Sequence, residues 1–480
     1  IRRAVVQKFN DSKGWQCDTI SDVYNKIEDI KEADRIVNSL RICDPAVGSG
    51  HFLVSALNEI IAIKSELKIL SDTEGKKLKE YTIEVINDEL FITDEQSKLF
   101  EYNPRSKESQ RVQEALFQEK QKIIENCLFG VDINPNSVKI CRLRLWIELL
   151  KNAYYKSGSG NRELETLPNI DINIKCGNSL ISRYPLDADI KAALKSSKWT
   201  VDNYREAVMT YRNAQSKDEK RGMEQLIIKI KNDFETEVSR SDKRFVKLNR
   251  LNGELLNLTK QSSLFELDKT QKDEWNIKVK KLTEEIKKYE NEICEIRNNK
   301  IYENAFEWRF EFPEVLNNQG DFEGFDIVIG NPPYGDQFSR EDKSYIKKKY
   351  RSYQYKFDSY IYFIELGIEI LSSKGYLEFI TPILWLTLDN CLSIRSILIL
   401  ENDLKRIFIH GENVFEEAVV STCSFITQKS NPQDNLIIIS NDSEINVAKS
   451  SWINNSDFRI ETRLNVEKKR IIDKIQNLSI

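Results

Sequence analysis

Asn331-Pro332-Pro333-Tyr334 is the stretch of this chain whose residue types are best suited to chemistry. The two prolines fix φ and remove two N–H donors, so the turn shows its neighbours mainly carbonyl acceptors. Asn331 adds a side-chain carbonyl, and Tyr334 adds a flat apolar face. Two acceptors beside an aromatic platform suit a planar ring bearing an exocyclic NH2, such as a nucleobase held out of its stack. Taken alone, the tetrapeptide reads equally well as a Pro-Pro loop after the buried strand Phe325 to Ile329. Its companions upstream tip the balance.

The first companion is Asp44-Pro45-Ala46-Val47-Gly48-Ser49-Gly50-His51-Phe52, where a short strand meets a Gly-rich turn and then an apolar helix. Gly48 and Gly50 permit the tight turn and let a ligand approach the backbone. Such a first βα turn is where a doubly wound sheet holds a nucleotide-like cofactor. It lacks the third glycine of the dinucleotide fingerprint and the Gly-Lys-Ser/Thr of a P-loop. The second companion is Asp132, at the tip of the strand that begins at Cys127 and followed by Ile133-Asn134-Pro135. An acid at the second strand's tip normally holds a ribose hydroxyl pair. A third strand, Asp171 to Cys176, runs into Gly177-Asn178-Ser179. Downstream of the tetrapeptide, Arg340, Lys343, Lys347, Lys348, Lys349 and Arg351 alternate with tyrosines. That segment reads either as a solvated helix face or as a phosphate-contacting surface.

Positioning these residues requires one mostly parallel α/β sheet. Strands are expected near 41–43, 128–132, 172–176, 325–329, 376–380 and 406–409, with helices on both faces. A hairpin-like run at 419–428 adds an antiparallel strand. Residues 1–40 read as helical behind Ser21 as N-cap, and Tyr81 to Thr93 as a hairpin turning at Asn87-Asp88. Trp275, Val279, Leu282, Ile286, Tyr289, Ile293 and Ile296 form a heptad seam. Tyr204, Val208, Tyr211, Leu226, Ile227, Ile230 and Phe234 offer it an antiparallel partner. The expected organisation is an N-terminal helical segment at 1–40 and a cofactor half at 41–190, the latter interrupted at 64–125. A helical-hairpin insertion at 191–305, a half carrying the Asn-Pro-Pro-Tyr turn at 306–430 and a more polar stretch at 431–480 follow.

Composition narrows the chemistry. With 40% hydrophobic and 31% charged residues the chain reads as globular, and its net charge of −4 neither demands nor excludes nucleic acid. Eight scattered cysteines without a CxxC pair read as reduced core residues of a cytoplasmic protein. Only His51 and His410 are present, so neither a metal site nor a His-based triad is expected. No apolar run reaches membrane-spanning length. A chain opening on Ile1 rather than Met reads as a piece of a longer one. No Asp…Glu-x-Lys nuclease cluster stands out.

With Asp44 to Gly50 upstream of Asn331 to Tyr334, the chain resembles the S-adenosylmethionine-dependent adenine-N6 DNA methyltransferases of the gamma class. The lead-in Trp308 to Leu316 and the long helical insertion look like the large type IIG restriction–modification and phage-defence members. The resemblance covers roughly 40–430. It implies a class I methyltransferase-like doubly wound sheet, S-adenosyl-L-methionine as cofactor, double-stranded DNA as partner, and restriction or defence subunits as further partners. By it, Asp44, Pro45, Ala46, Gly48, Gly50 and Phe52 surround the cofactor, with Asp44 near its methionine portion. Asp132 and Ile133 hold its ribose side, Asn178 and Ser179 lie near its adenine, and Asn331 also borders it. Asn331, Pro332, Pro333 and Tyr334 form the active site, with Tyr334 and Phe415 against the flipped base. Three departures stand out: the family's N-terminal Tyr-Thr-Pro-like segment is not visible, Asn178 stands where Asp is frequent, and most of a recognition domain is missing. Rival readings are a catalytically silent DNA-binding subunit and an Asn-Pro-Pro-Tyr enzyme acting on RNA or protein glutamine.

Overall fold

The structure is a computed structural model that describes residues 1–460 apart from 157, 188–196, 198, 215, 242, 265–268, 299, 411–420, 441–442 and 454–456. Its contacts divide the chain into two compact units, one of Ile1–Cys176 with Gly324–Ile480 and one of Gly177–Glu323. Among the described residues, no helix is long and apolar enough to cross a membrane.

The first unit is built on a nine-stranded sheet. In chain order its strands are β1 (Ile42–Asp44), β2 (Leu128–Asp132), β3 (Ile174–Cys176), β4 (Phe325–Gly330), β5 (Leu371–Pro382), β6 (Asp403–Ile409), β7 (Thr422–Gln428), β8 (Asn435–Ser440) and β9 (Ser443–Ala448). Their spatial order is β9-β8-β6-β7-β5-β4-β1-β2-β3. From β3 to β5 all neighbours are parallel, and β7 runs antiparallel between β5 and β6. This is the doubly wound sheet of class I methyltransferase type that the sequence implied. The chain moves outward from β1 to β3 and returns to place β4 on the other side of β1. The switch point, where such folds bind ligands, therefore lies between the carboxyl ends of β1 and β4. Both strands are apolar throughout their paired registers, as strands covered on both faces require.

Three helices of the first unit are α1 (Arg2–Lys13), α2 (Ile20–Lys26) and α3 (Ile30–Asn38). Residues 1–40 are thus helical, but Ser21 is not the cap. Thr19 takes that role, its hydroxyl accepting from Asp22 N–H while Asp22 reaches back, and Asp29 caps α3. Helix α4 (His51–Glu66) covers β1 and α5 (Lys107–Cys127) precedes β2. Between them a separate hairpin, Tyr81–Ile86 with Glu89–Asp94, turns at Asn87 and Asp88 as expected, both at positive φ (50° and 64°). Helix α6 (Pro135–Leu150) buries Val138, Cys141, Leu145 and Leu149.

The sheet continues past residue 431, where the sequence suggested that a recognition region begins. β8 pairs parallel to β6, and β9 turns back against β8. β8 carries the apolar run Leu436 to Ile439 and β9 alternates around Ile445 and Val447, and only the pairing with β6 reveals their place. A buried ion pair, Lys449 Nζ to Asp403 Oδ1 at 2.8 Å, closes this edge.

The second unit contains α7 (Val201–Asn213), α8 (Lys217–Ser241), α9 (Lys243–Leu264) and α10 (Lys269–Asn298). The heptad seam on α10 is present from Leu282 to Tyr289, the side chains of Ile293 and Ile296 lying outside those described, but its partner is α9: Leu282 and Ile286 pack with Leu251, Leu248, Leu255 and Leu258. Trp275 Nε1 donates to the Leu258 carbonyl at 3.1 Å. The expected partner, 204–234, packs elsewhere. Tyr204 stacks edge-on to Phe234 and donates to the Phe310 carbonyl at 2.8 Å, while Arg212 pairs with Glu314 at 2.6 Å. Among the described residues the insertion forms two helix pairs, one of them seated on the Trp308–Val315 segment.

Lys64 on α4 is wholly buried in the first unit, held by Asp34 at 2.7 Å, Asn38 at 2.6 Å and the buried carboxylate of Glu119. Removing one member of a buried pair strands the other charge. Lys64→Ala is expected to cost about 3–5 kcal/mol of stability, read by denaturant unfolding. Lys64→Met, which fills the same volume, should also destabilise while Glu119 remains, and Lys64→Met with Glu119→Leu should recover most of the loss.

Candidate active site

The site lies where β1 and β4 end side by side. Asp44 closes β1 and Gly330 closes β4, and the two touch: a Cβ on Gly330 would stand 2.7 Å from Asp44 Oδ1. No side chain fits there, so glycine at 330 is what lets the residues after both strands converge. The Asp44 carboxylate is 1% exposed and accepts the Ala46 N–H at 3.0 Å. Burial raises its pKa to about 7, opposed by the Ala46 bond and reinforced by nearby Asp132.

Beyond Asp44 the chain turns through Gly48 and Gly50, both at positive φ (51° and 83°). Gly50 also lies so near α6 that a Cβ would meet Cys141 Sγ at 2.6 Å. It serves as the N-cap of α4, so the free amides of that helix open beside the turn. Asp132, at the tip of β2, braces the turn: Oδ2 accepts the Gly48 N–H at 2.9 Å and Oδ1 accepts the Asn134 N–H at 2.7 Å. The sequence placed Asp132 near a ribose but gave no hint of this second task. A carboxylate offers about four acceptor directions, so two backbone bonds leave room for a hydroxyl pair. Ile133, next in the chain, is 61% exposed. Phe52 lines a cavity of about 530 Å³ with Ile329, Ile380 and Glu378. A glycine cradle, a helix N-terminus and an acid at the next strand tip fit an adenosyl cofactor's hydroxyls and backbone-facing groups.

On the β4 side, the turn from Asn331 to Gly335 is fastened at its far end. Gly335 N–H donates to Asp358 Oδ1 at 2.8 Å, and its carbonyl accepts from Ser359 N at 3.0 Å. Ser359 Oγ donates to the Pro333 carbonyl at 2.5 Å. Asp358 and Ser359 begin helix α12 (Ser359–Ile370), which comes after α11 (Arg340–Lys349). Asp358 occupies the N-cap position, yet its carboxylate serves Gly335 instead of its own helix. An Asp-Ser pair before an apolar run is a cap signature, and this second use of it was invisible in sequence. The Tyr334 ring packs edge-on to buried Tyr360 with centroids 6.1 Å apart. Its hydroxyl donates to Asn331 Oδ1 at 2.6 Å, with the Ile380 carbonyl at 3.3 Å.

The remaining expected residues fall in several places. Asn178 and Ser179 belong to the second unit, where Asn178 Oδ1 accepts the Leu180 N–H at 3.1 Å and the Ser179 carbonyl accepts from Trp308 Nε1 at 3.0 Å. Phe415 lies outside the described residues. The basic segment is α11 and the turn after it. Lys343 pairs with Asp336 at 2.7 Å, Lys349 with Glu369 at 2.9 Å, and Arg351 with Glu401 at 2.9 Å. Lys347 sits over the rings of Tyr353 and Phe357. Arg340 opens the helix and Lys348 is exposed on it.

Comparison with known proteins bears on this geometry. The model of the Eco57I restriction-modification methylase family matches residues 126–415, more than half of the chain. A candidate type II restriction enzyme and methyltransferase of Methanocaldococcus jannaschii is 28% identical over 92% of this chain and 35% of its own length. The type II restriction enzyme and methyltransferase Eco57I of Escherichia coli is 33% identical over 22% of this chain and 11% of its own. The chain thus spans about a third of the first relative and a smaller part of the second. Among solved structures, a nuclease-deletion mutant of the Type ISP restriction-modification enzyme LlaGI, in complex with a DNA substrate mimic, aligns with 92% of this chain and 23% of its own. Its TM-score is 0.37 and its identity 12%.

Two measurements check the cofactor side. Asp132→Ala should weaken S-adenosylmethionine binding by roughly 1–3 kcal/mol, the scale for losing hydrogen bonds to a charged group, because it removes both the brace on Gly48 and an acceptor. Calorimetry giving unchanged affinity would refute the assignment. For Asp44, the unfolded carboxylate ionises near pH 4 and the folded one near 7. Between these values the native state holds the extra proton, so its contribution makes stability fall as pH rises from about 4 to about 7 and level off above. Asp44→Asn, which keeps the acceptor for Ala46, should flatten that part of the ligand-free protein's melting curve against pH.

Proposed function

The chain belongs to the Eco57I restriction-modification methylases, and from that membership we propose that it transfers a methyl group to the N6 amine of an adenine flipped out of double-stranded DNA. The observation that carries the reading is the contact between Asp44 and Gly330, which brings the glycine turn and the Asn-Pro-Pro-Tyr turn to one switch point. S-adenosyl-L-methionine is the cofactor, and when bound it supplies a methyl group activated by its sulfonium.

The chain's own residues act on the amine. The lone pair of an adenine amine is delocalised into the ring and attacks poorly. With Asn331 Oδ1 and the Pro332 carbonyl accepting its two hydrogens, the nitrogen pyramidalises and its lone pair localises. These bonds strengthen as positive charge grows on nitrogen, so they favour the transition state over the ground state. Pro332 is buried and the turn is fastened to Asp358 and Ser359, so the acceptors are set in place beforehand. No strong base is required, because the proton can leave after transfer. The Tyr334 ring offsets part of the unstacking cost, about 1–3 kcal/mol for a base on an aromatic.

Duplex DNA is approached through Arg340, Lys343, Lys347, Lys348, Lys349 and Arg351. Three of these already hold carboxylates, so contact there exchanges Asp336, Glu369 or Glu401 for phosphate. Binding through such contacts weakens steeply as salt rises.

The deciding assay follows labelled methyl transfer to duplex DNA by the full-length protein and its Asn331→Ala variant. The variant should lose at least a hundredfold in rate, about 2.7 kcal/mol or more, while cofactor affinity is retained. A fully active variant would overturn the mechanism. A wild type labelling only RNA or protein would overturn the substrate.

A further inference from the structure

The Tyr334 hydroxyl is bonded to the same atom that the proposed reaction assigns to the target amine. Its 2.6 Å distance to Asn331 Oδ1 suits O–H···O, for which 2.7–2.8 Å is usual, better than an amide N–H, so the amide oxygen faces the phenol. A phenol has one hydrogen, and a second acceptor, the Ile380 carbonyl, waits at 3.3 Å. The backbone on either side is fixed: β4 holds Gly330, and Asp358 and Ser359 hold Pro333 and Gly335. Tyr360, against which the ring packs, is 1% exposed. What remains free to change is the partner of the phenolic hydrogen.

We propose that the Tyr334 hydroxyl caps Asn331 Oδ1 in the resting site and is exchanged for the amine of the target base, making Tyr334 a specificity-determining residue for bases that carry an exocyclic N–H. The inference rests on the reading of Asn331 as the amine's acceptor. When an amine arrives, its N–H takes Oδ1 and the phenol hydrogen passes to the Ile380 carbonyl. The number of hydrogen bonds is conserved, and no buried polar group is stranded. A base without a donor at that position cannot make the exchange, so the cap stays on Oδ1. The cap therefore tempers how much the amine adds to affinity, while sparing Asn331 an unpaired acceptor whenever no amine is present. The ring stacks on the base and the hydroxyl sets how far its amine is favoured, two tasks for one side chain. From sequence, only the ring had a role.

Removing the hydroxyl should push both halves of the balance the same way. In Tyr334→Phe an amine meets an uncapped acceptor and displaces nothing, whereas a purine lacking the amino group leaves Oδ1 buried and unpaired. A hydrogen bond of ordinary net strength corresponds to about a 2–10-fold change in equilibrium. The test uses the full-length protein and duplexes containing its methylation site, with adenine or amino-less purine at the target position. Fluorescence anisotropy at saturating S-adenosylhomocysteine gives the ratio of Kd for purine to Kd for adenine. That ratio should rise about 2–10-fold in Tyr334→Phe. Replacing Tyr334 by 3-fluorotyrosine, a stronger donor of nearly the same shape, should lower it. A ratio unchanged or reduced in Tyr334→Phe overturns the exchange and leaves the methyltransferase reading standing. A wild type that transfers no labelled methyl group to the adenine duplex overturns both.

Discussion

Asp44 and Gly330 stand closer than any side chain at 330 would allow, and much of the site's geometry depends on that contact. The sheet brings β1 and β4 together because both are apolar on two faces and pair in parallel. Pairing alone, however, would leave room for a side chain between the strand tips. Its absence lets the acid that ends one strand lie against the backbone that opens the Asn-Pro-Pro-Tyr turn. The cost is a carboxyl group buried where it resists ionisation. Such a group is tolerated at a ligand site, where a bound molecule changes the local electrostatics, far better than in a plain core.

Around that contact, backbone and side chains carry different duties. The two turns are braced by carboxylates accepting from amides, Asp132 for Gly48 and Asp358 for Gly335. Charge-assisted bonds of this kind are short and stiff. They fix the carbonyls and the glycine turn before any ligand binds. Tyr334 and Asn331 keep the one adjustable element, a hydrogen with two acceptors within reach. Rigid acceptors with one movable donor suit the proposed receipt and release of an amine.

The second unit obeys a separate logic. Its α9–α10 pair is a heptad seam closed by Leu251, Leu282 and Ile286, while α7 and α8 are seated on the Trp308–Val315 segment by Tyr204, Arg212 and Lys231. Glu307 there is buried and accepts from Ser182 and from the Arg183 and Tyr184 amides, and burial still raises its pKa. The residues after β3 are thereby joined to those before β4 by polar bonds within one unit. That arrangement gives the aromatic run at 306–312 a structural purpose: Phe306, Trp308 and Phe312 form one cluster.

Local chemistry made the apolar strand runs, the Asn87-Asp88 turn, the heptads of α10 and the two motif turns legible in the sequence. Each depends on residues within a few positions of one another. Gly48 and Gly50 announced a turn, the prolines announced an acceptor-rich loop, and both stand where expected. Partners distant in the chain were another matter. The sequence offered Tyr204 to Phe234 to the α10 seam, yet α9 took it, because any apolar heptad face satisfies the pattern and proximity chooses among them. It read the residues after 431 as leaving the fold, yet β8 and β9 extend the sheet, since a strand's place is set by the neighbour that pairs with it. It gave Asp132 one task and Tyr334 only a ring. The brace on Gly48 spans 84 positions and the second acceptor at Ile380 spans 46. Residue types and short spacings determined which groups are available for chemistry. Which hydrogen bonds those groups hold was decided only by the tertiary structure, because a polar atom takes the partner that packing leaves within 3 Å of it.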